Sequence, residues 1–179
     1  MKLISAIAIL TVAAPIHGAR AACSVLTDTE VIIQDFQSNV FDLAFASSVD
    51  LTPVQTLNNI YGDPPTSQSW FIVAYQATGL YFIRNTDSGT YLSYTGAVTG
   101  MNPTGAQLCG HSAQFLWNIT ANGNSDGCNI IEPSTGLVAT SYDIINSAAI
   151  GSTTPVTLQN FDGKVTQQVF TFEQIGIRN

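Results

Sequence analysis

Three stretches of this 179-residue chain repeat one another, and that repetition limits the fold more than any other feature. Ser67-Gln68-Ser69-Trp70-Phe71-Ile72-Val73 is echoed by Gln114-Phe115-Leu116-Trp117-Asn118-Ile119-Thr120, and again by Gln167-Gln168-Val169-Phe170-Thr171-Phe172-Glu173. Each block is strand-length and carries one large aromatic at the same station. Upstream lie Thr52-Pro53-Val54-Gln55, Thr104-Gly105-Ala106-Gln107 and Thr154-Pro155-Val156-Thr157. Further upstream come Val31-Ile32-Ile33-Gln34, Tyr81-Phe82-Ile83-Arg84 and Asn129-Ile130-Ile131-Glu132. The units recur roughly every 50 residues, about 23–75, 76–121 and 122–179, each with about four short strands. One such unit cannot bury its own inner face. Three packed about a pseudo-threefold axis can close a barrel, with Trp70, Trp117 and Phe170 filling its interior.

Composition agrees with an all-β domain. Val, Ile, Thr, Tyr and Phe are frequent, Gly, Pro, Asn and Ser clusters cut the chain into strand lengths, and no segment sustains a helical apolar period. Charged residues are 9% of the chain, against about 25% in typical domains, which excludes a coiled coil or a highly charged disordered chain. Lys and Arg number 5 against 12 Asp and Glu, a net charge of −7. That balance opposes phosphate backbones and anionic membranes, so neither nucleic acid nor membrane insertion is expected.

Met1-Lys2, the apolar run Leu3 to Ala14, and Ala19-Arg20-Ala21 before Ala22 follow the order of a cleavable secretory signal. Residues 1–21 are therefore read as a leader and residues 22–179 as a secreted, extracellular domain. The apolar run is too short for a bilayer, which needs about 20 residues. Cys23, Cys109 and Cys128 all belong to the exported part, where at least one bridge is expected. Cys109–Cys128 is favoured, because the segment between them can fold back as a strand pair; pairing through Cys23 is the rival. Asn118-Ile119-Thr120 is an N-glycosylation sequon, usable if Asn118 points outward. Without the leader, His111 is the sole histidine, so a metal site of several histidines is excluded. No metal or other cofactor is expected.

The best-preserved hairpin, Tyr81-Phe82-Ile83-Arg84-Asn85-Thr86-Asp87-Ser88-Gly89-Thr90-Tyr91-Leu92, and the motif Gln68-Ser69-Trp70 resemble the ricin B-chain-type β-trefoil lectins, especially their fungal branch. The resemblance covers nearly all of the exported chain. The Gln-x-Trp signature is intact only there: Phe115 takes the glutamine position in the second unit, and Phe170 replaces Trp in the third. It implies a β-trefoil that binds glycans or glycoproteins without catalysis. In that family an Asp after the second strand accepts two adjacent sugar hydroxyls, an aromatic ring covers the apolar sugar face, and an amide takes a further hydroxyl. Phe41-Asp42-Leu43 matches the family's Leu-Asp-Val, which implies Asp42 as the carboxylate. Gln55 lies in the matching strand that precedes the pocket's far wall. Asn58, Asn59 and Tyr61 fall where the amide and ring are expected. The second and third units have Ser93 and Ala139 at the acid position. This reading requires a side chain at position 42 that is open to solvent. A shallow pocket binds weakly, so avidity would come from a homodimer or from clustered glycans.

An enzyme is disfavoured. There is no Gly-x-Ser-x-Gly elbow, His111 lies between Gly110 and Ser112 with no triad signature, and no phosphate loop or Cys-x-x-Cys pair occurs. The rival to a lectin is a β-trefoil protease inhibitor that presents the Pro-rich loop Asn58 to Ser69, stiffened by Pro64-Pro65, or the loop Gly96 to Gly105.

Overall fold

A computed structural model of the chain describes residues 23–58, 65–97, 102–123, 126–144 and 152–175; the expected leader lies outside them. The short apolar runs form strands, with three single-turn 3-10 helices between them and no α-helix among the described residues. The first lobe holds β1 (Glu30–Gln34), β2 (Asn39–Leu43), β3 (Thr52–Asn58) and β4 (Trp70–Tyr75). The second holds β5 (Leu80–Asn85), β6 (Tyr91–Tyr94), β7 (Leu108–His111) and β8 (Trp117–Ala121). The third holds β9 (Cys128–Ile131), β10 (Val138–Thr140), β11 (Thr153–Pro155), β12 (Thr157–Gln159) and β13 (Thr171–Gln174).

Antiparallel pairing runs β5-β4-β1-β2-β3-β7-β6 and returns to β5 through Arg84 opposite Tyr91, which closes a ring. From β5 the ladder continues through β8, β9, β10 and β12, while β11 joins β3 and β13 joins β1. The three lobes meet where Val54, Leu108 and Val156, all fully buried, exchange backbone bonds: Leu108 N donates to Val156 O at 2.8 Å and Val156 N to Val54 O at 3.4 Å. The fold is a β-trefoil, all-β, with its pseudo-threefold axis through that junction.

The three expected plugs are fully buried, and each adds about 2–3 kcal/mol by leaving water. Trp70 Nε1 donates to Phe41 O at 3.1 Å, and Trp117 Nε1 donates to Leu92 O at 2.9 Å. Phe170 has no such donor; its ring instead meets Phe41 edge to face, with centroids 5.1 Å apart. The first turn of each lobe is also built alike. A buried Asp35, Asn85 or Glu132 accepts a backbone N–H from the turn that follows, from Gln37, Ser88 and Thr135 respectively.

The expected Cys109–Cys128 bridge is not formed. Cys23 is bonded to Cys128, and Cys109 is a free, fully buried thiol. The reason lies in the strand order. The favoured bridge required β7 and β9 to lie side by side, but β7 lies between β6 and β3, and β9 between β8 and β10. Cys109 therefore faces Ser93 and Pro53, far in the ladder from Cys128. Burial pushes the Cys109 thiol up to about 12, with a smaller push from the Asp50 charge, so it carries almost no thiolate near neutral pH.

The bridge that does form spans 105 residues, a loop long enough to stabilise the fold by about 4–5 kcal/mol in the chain-entropy picture. Native protein should show no thiol reactive to Ellman's reagent, and denatured, unreduced protein should show one. Cys23→Ser should lower stability by several kcal/mol in denaturant melts. A reactive thiol in the native state that vanishes in Cys23→Ser would contradict this pairing.

Candidate functional site

In the first lobe, β2 and β3 form a hairpin whose register sets Asp42 opposite Gln55. Gln55 Nε2 donates to Asp42 Oδ2 at 3.1 Å. From the other side, Ser67 Oγ donates to Asp42 Oδ1 at 2.7 Å. Asp42 retains only 6% exposure, so the solvent-open carboxylate expected from the sequence is not found: the side chain is buried, recessed beneath Gln55 and Ser67. Each oxygen has one protein donor and keeps capacity for another, since a carboxylate offers about four acceptor positions.

Ser67 is held in place by the second lobe. It lies on the 3-10 turn Thr66–Gln68. The fully buried Asn85 of β5 donates through Nδ2 to Ser67 O at 3.0 Å and to Ser69 O at 3.2 Å. Thr66 Oγ1 adds a bond to Asp87 Oδ2 at 2.8 Å. In the sequence, Ser67 stands only as the start of a repeat block. No pattern in the chain marks a serine that becomes a carboxylate partner across a lobe boundary.

The other expected site residues are distributed less simply. Asn58 ends β3 opposite Asn39, three positions beyond Gln55 and hence roughly 10 Å further along the strand. Asn59 and Tyr61 lie outside the described residues. In the second lobe, Ser93 faces Cys109, and both are fully buried. In the third lobe, register corrects the acid position. Thr140 pairs with Thr157 as Asp42 pairs with Gln55, and Ala139 corresponds to Phe41. The apolar run Leu137 to Ala139 hides this offset of one, which the pairing with the Thr-Pro-Val strand fixes. Only the first lobe joins an acid to an amide at this station.

Next to the recess, the β2–β3 connection is unusual. Phe45, Ala46 and Leu51 have φ of 59°, 49° and 67°, in the left-handed region. Phe45 is 99% exposed, and Val49 and Leu51 are also exposed. The far end of the connection is braced on β7. Leu51 N donates to Gly110 O at 2.9 Å, Ser112 N to Asp50 Oδ1 at 2.6 Å, and Ser112 Oγ to Asp50 Oδ2 at 3.0 Å. His111 Nε2 is 3.5 Å from the same carboxylate. Its Nδ1 accepts from Ala113 N at 2.9 Å, so the neutral ring carries its proton on the side facing Asp50. Gly110 is needed there, because a Cβ would come within 2.6 Å of Thr90 Oγ1 and 2.9 Å of Leu43 Cδ1.

Outside the recess, Asn118 is half-buried on β8 and shares a face with Thr120, opposite buried Trp117 and Ile119. The described residues contain no group of three or more His, Cys, Asp or Glu arranged to hold a metal ion.

The brace is pH-sensitive in a defined direction. The Ser112 backbone N–H holds the Asp50 carboxyl below its usual value of 3.8, outweighing desolvation, and the Ser112 hydroxyl and His111 lower it further. A depressed folded value means the brace is intact above about pH 4 and is lost as pH falls through the folded value. The Ser112 amide should therefore exchange slowly at pH 5 and lose protection in more acid solution. Asp50→Asn should remove most of that pH dependence. An amide equally protected at pH 5 and pH 2 would contradict the assignment.

Residues 66–159, just over half of the chain, match the family model described as ricin-type beta-trefoil lectin domain-like. The matched span contains Ser67 but begins after Asp42 and Gln55. No curated protein matches the sequence. Among solved structures, the chain is similar to the Rhizoctonia solani agglutinin, with TM-score 0.68 and 17% identity, covering 85% of this chain and 99% of that one. The Macrolepiota procera ricin B-like lectin in complex with lactose gives 0.65 and 19%, covering 85% and 99%. The Polyporus squamosus lectin bound to a human-type influenza-binding epitope gives 0.62 and 19%, covering 84% and 50%. These likenesses agree with the closed three-lobed barrel, and the family match extends over most of the second and third lobes: the chain belongs to the ricin-type β-trefoil lectin domain-like family.

Proposed function

We propose that this protein is a secreted, non-catalytic carbohydrate-binding protein that holds a glycan chiefly through its first lobe. The observation that carries the reading is the Asp42–Gln55 pair, an acceptor and an amide set opposite each other at the one lobe that keeps the acid. Two neighbouring sugar hydroxyls form a fork of donors, and a carboxylate accepts both with charge-assisted bonds. Gln55 fixes one carboxylate oxygen and Ser67 the other, so the acceptor is oriented before a ligand arrives, which lowers the ordering cost of binding. Because the carboxylate is nearly sealed, a saccharide hydroxyl reaches Oδ1 by replacing the Ser67 hydroxyl. The polar step adds specificity, and affinity at a single shallow site stays modest. Clustered glycans or a homodimer would raise avidity.

Support for the ligand class comes from the neighbours, whose described complexes hold lactose and a sialylated saccharide. Export fits the leader-like first 21 residues, the disulfide and the outward-facing sequon at Asn118.

The test is a glycan array probed with wild-type protein and with Asp42→Asn, which keeps the shape of the side chain. Loss of charge-assisted acceptance should weaken binding about 10- to 100-fold, the equivalent of roughly 1.5–3 kcal/mol, with an unchanged circular dichroism spectrum. Retention of full binding by Asp42→Asn, or silence of the wild type across the array, would overturn the reading.

A further inference from the structure

We infer that Phe45 is the ring that covers the apolar face of a sugar held at Asp42, an inference that rests on the carbohydrate-binding reading above. No packing reason accounts for a phenylalanine at this position. Its ring is 99% exposed, so it forgoes the gain that a buried ring brings. Nor does the backbone favour it. At φ 59° and ψ 17° the residue lies in a region where a bulky side chain is an outlier and where glycine or asparagine is the unstrained choice. Strain of this kind persists where the surrounding structure imposes it, and it gathers at ligand sites.

The surroundings bring the turn of Phe45 close to Asp42. Phe45 is three residues after Asp42 in the chain. Its turn, Ala44–Ala46, packs beside the turn Thr66–Gln68, whose Ser67 bonds the Asp42 carboxylate. The exposed ring thus stands on a turn that follows the strand of the acceptor and adjoins the turn whose serine bonds it. At the other end, the Asp50–Ser112 and Leu51–Gly110 bonds tie the same connection to β7, so the ring is presented on a braced loop. A pyranose offers hydroxyls on its edge and C–H groups on its face. An acceptor beside a flat apolar ring matches both, and the adaptable polar and rigid aromatic contacts divide the work of recognition. The second lobe has Gly96 three residues after Ser93, so it lacks the ring as well as the acid. A saccharide is favoured over a lipid surface because the apolar ring adjoins an acid and the chain carries a net charge of −7.

Phe45→Trp supplies the test. The chain has two tryptophans, Trp70 and Trp117, and both are fully buried; the new indole would report on position 45. Galactose, glucose, mannose, fucose, N-acetylglucosamine, sialic acid and lactose would each be added while acrylamide quenching is read. The sugars that inhibit binding of the wild type to a glycan array should shield the indole and cut its quenching about twofold or more. Phe45→Ala should weaken the same binding roughly 5- to 10-fold without moving the melting temperature. If Asp42→Asn abolishes binding while Phe45→Ala binds normally and the indole stays equally quenched, this inference fails and the carbohydrate-binding reading stands. Shielding by phosphatidylcholine vesicles but by none of the sugars would overturn it in favour of a membrane surface. A wild type silent on the array and to every sugar would overturn both.

Discussion

The fold depends on filling one small interior from three directions. A ring of short antiparallel strands leaves a central space that no single lobe can occupy, and two indoles and a benzyl ring occupy it jointly. The indoles do more than take up volume. Each donates its N–H to a carbonyl of its own lobe's second strand, Phe41 for Trp70 and Leu92 for Trp117, and so locks the hairpin beside it in register. That register determines which side chain follows the tethered carbonyl: Asp42 in the first lobe and Ser93 in the second. The chemistry of the surface recess is thus set, one residue along, by the packing of the core.

Much of this architecture was legible in the chain because it rests on large residues at regular spacing. The three aromatic stations, the strand lengths and the Thr-Pro-Val echoes come from burial, and burial leaves a periodic trace. The site was legible only in part. Asp42 and Gln55 could be found because they ride on a hairpin that the repeats define. Ser67 could not, since its contact to Asp42 depends on how Asn85 of the neighbouring lobe seats the Thr66–Gln68 turn. The same holds for Asp50 and Ser112, which meet across 62 positions of chain. Short polar side chains that meet through tertiary structure leave no period to read.

The cysteines show the same limit from the other side. A fold-back of the segment between Cys109 and Cys128 would favour their pairing, yet β7 and β9, which carry them, lie in separate parts of the ladder. The lobes differ in the side chains at this station. The second has closed its station with Ser93 and Cys109, both sealed, and the third carries threonines at positions 140 and 157. Three copies of one scaffold therefore keep a common interior while their outer faces differ, as expected when the interior is shared by all lobes and each surface stands alone.

The clasp between Cys23 and Cys128, together with the pairing of β1 with β13, has a consequence for assembly. The opening segment of the domain finds its covalent partner, and one of its three ladder partners, in the final third of the chain. During synthesis from the amino end, Cys109 emerges ahead of Cys128, so the thiol that must stay single is the first one that Cys23 can meet. Seating of β7 between β6 and β3 removes Cys109 from reach, which makes docking of the middle lobe the step that directs the oxidation to its correct partner.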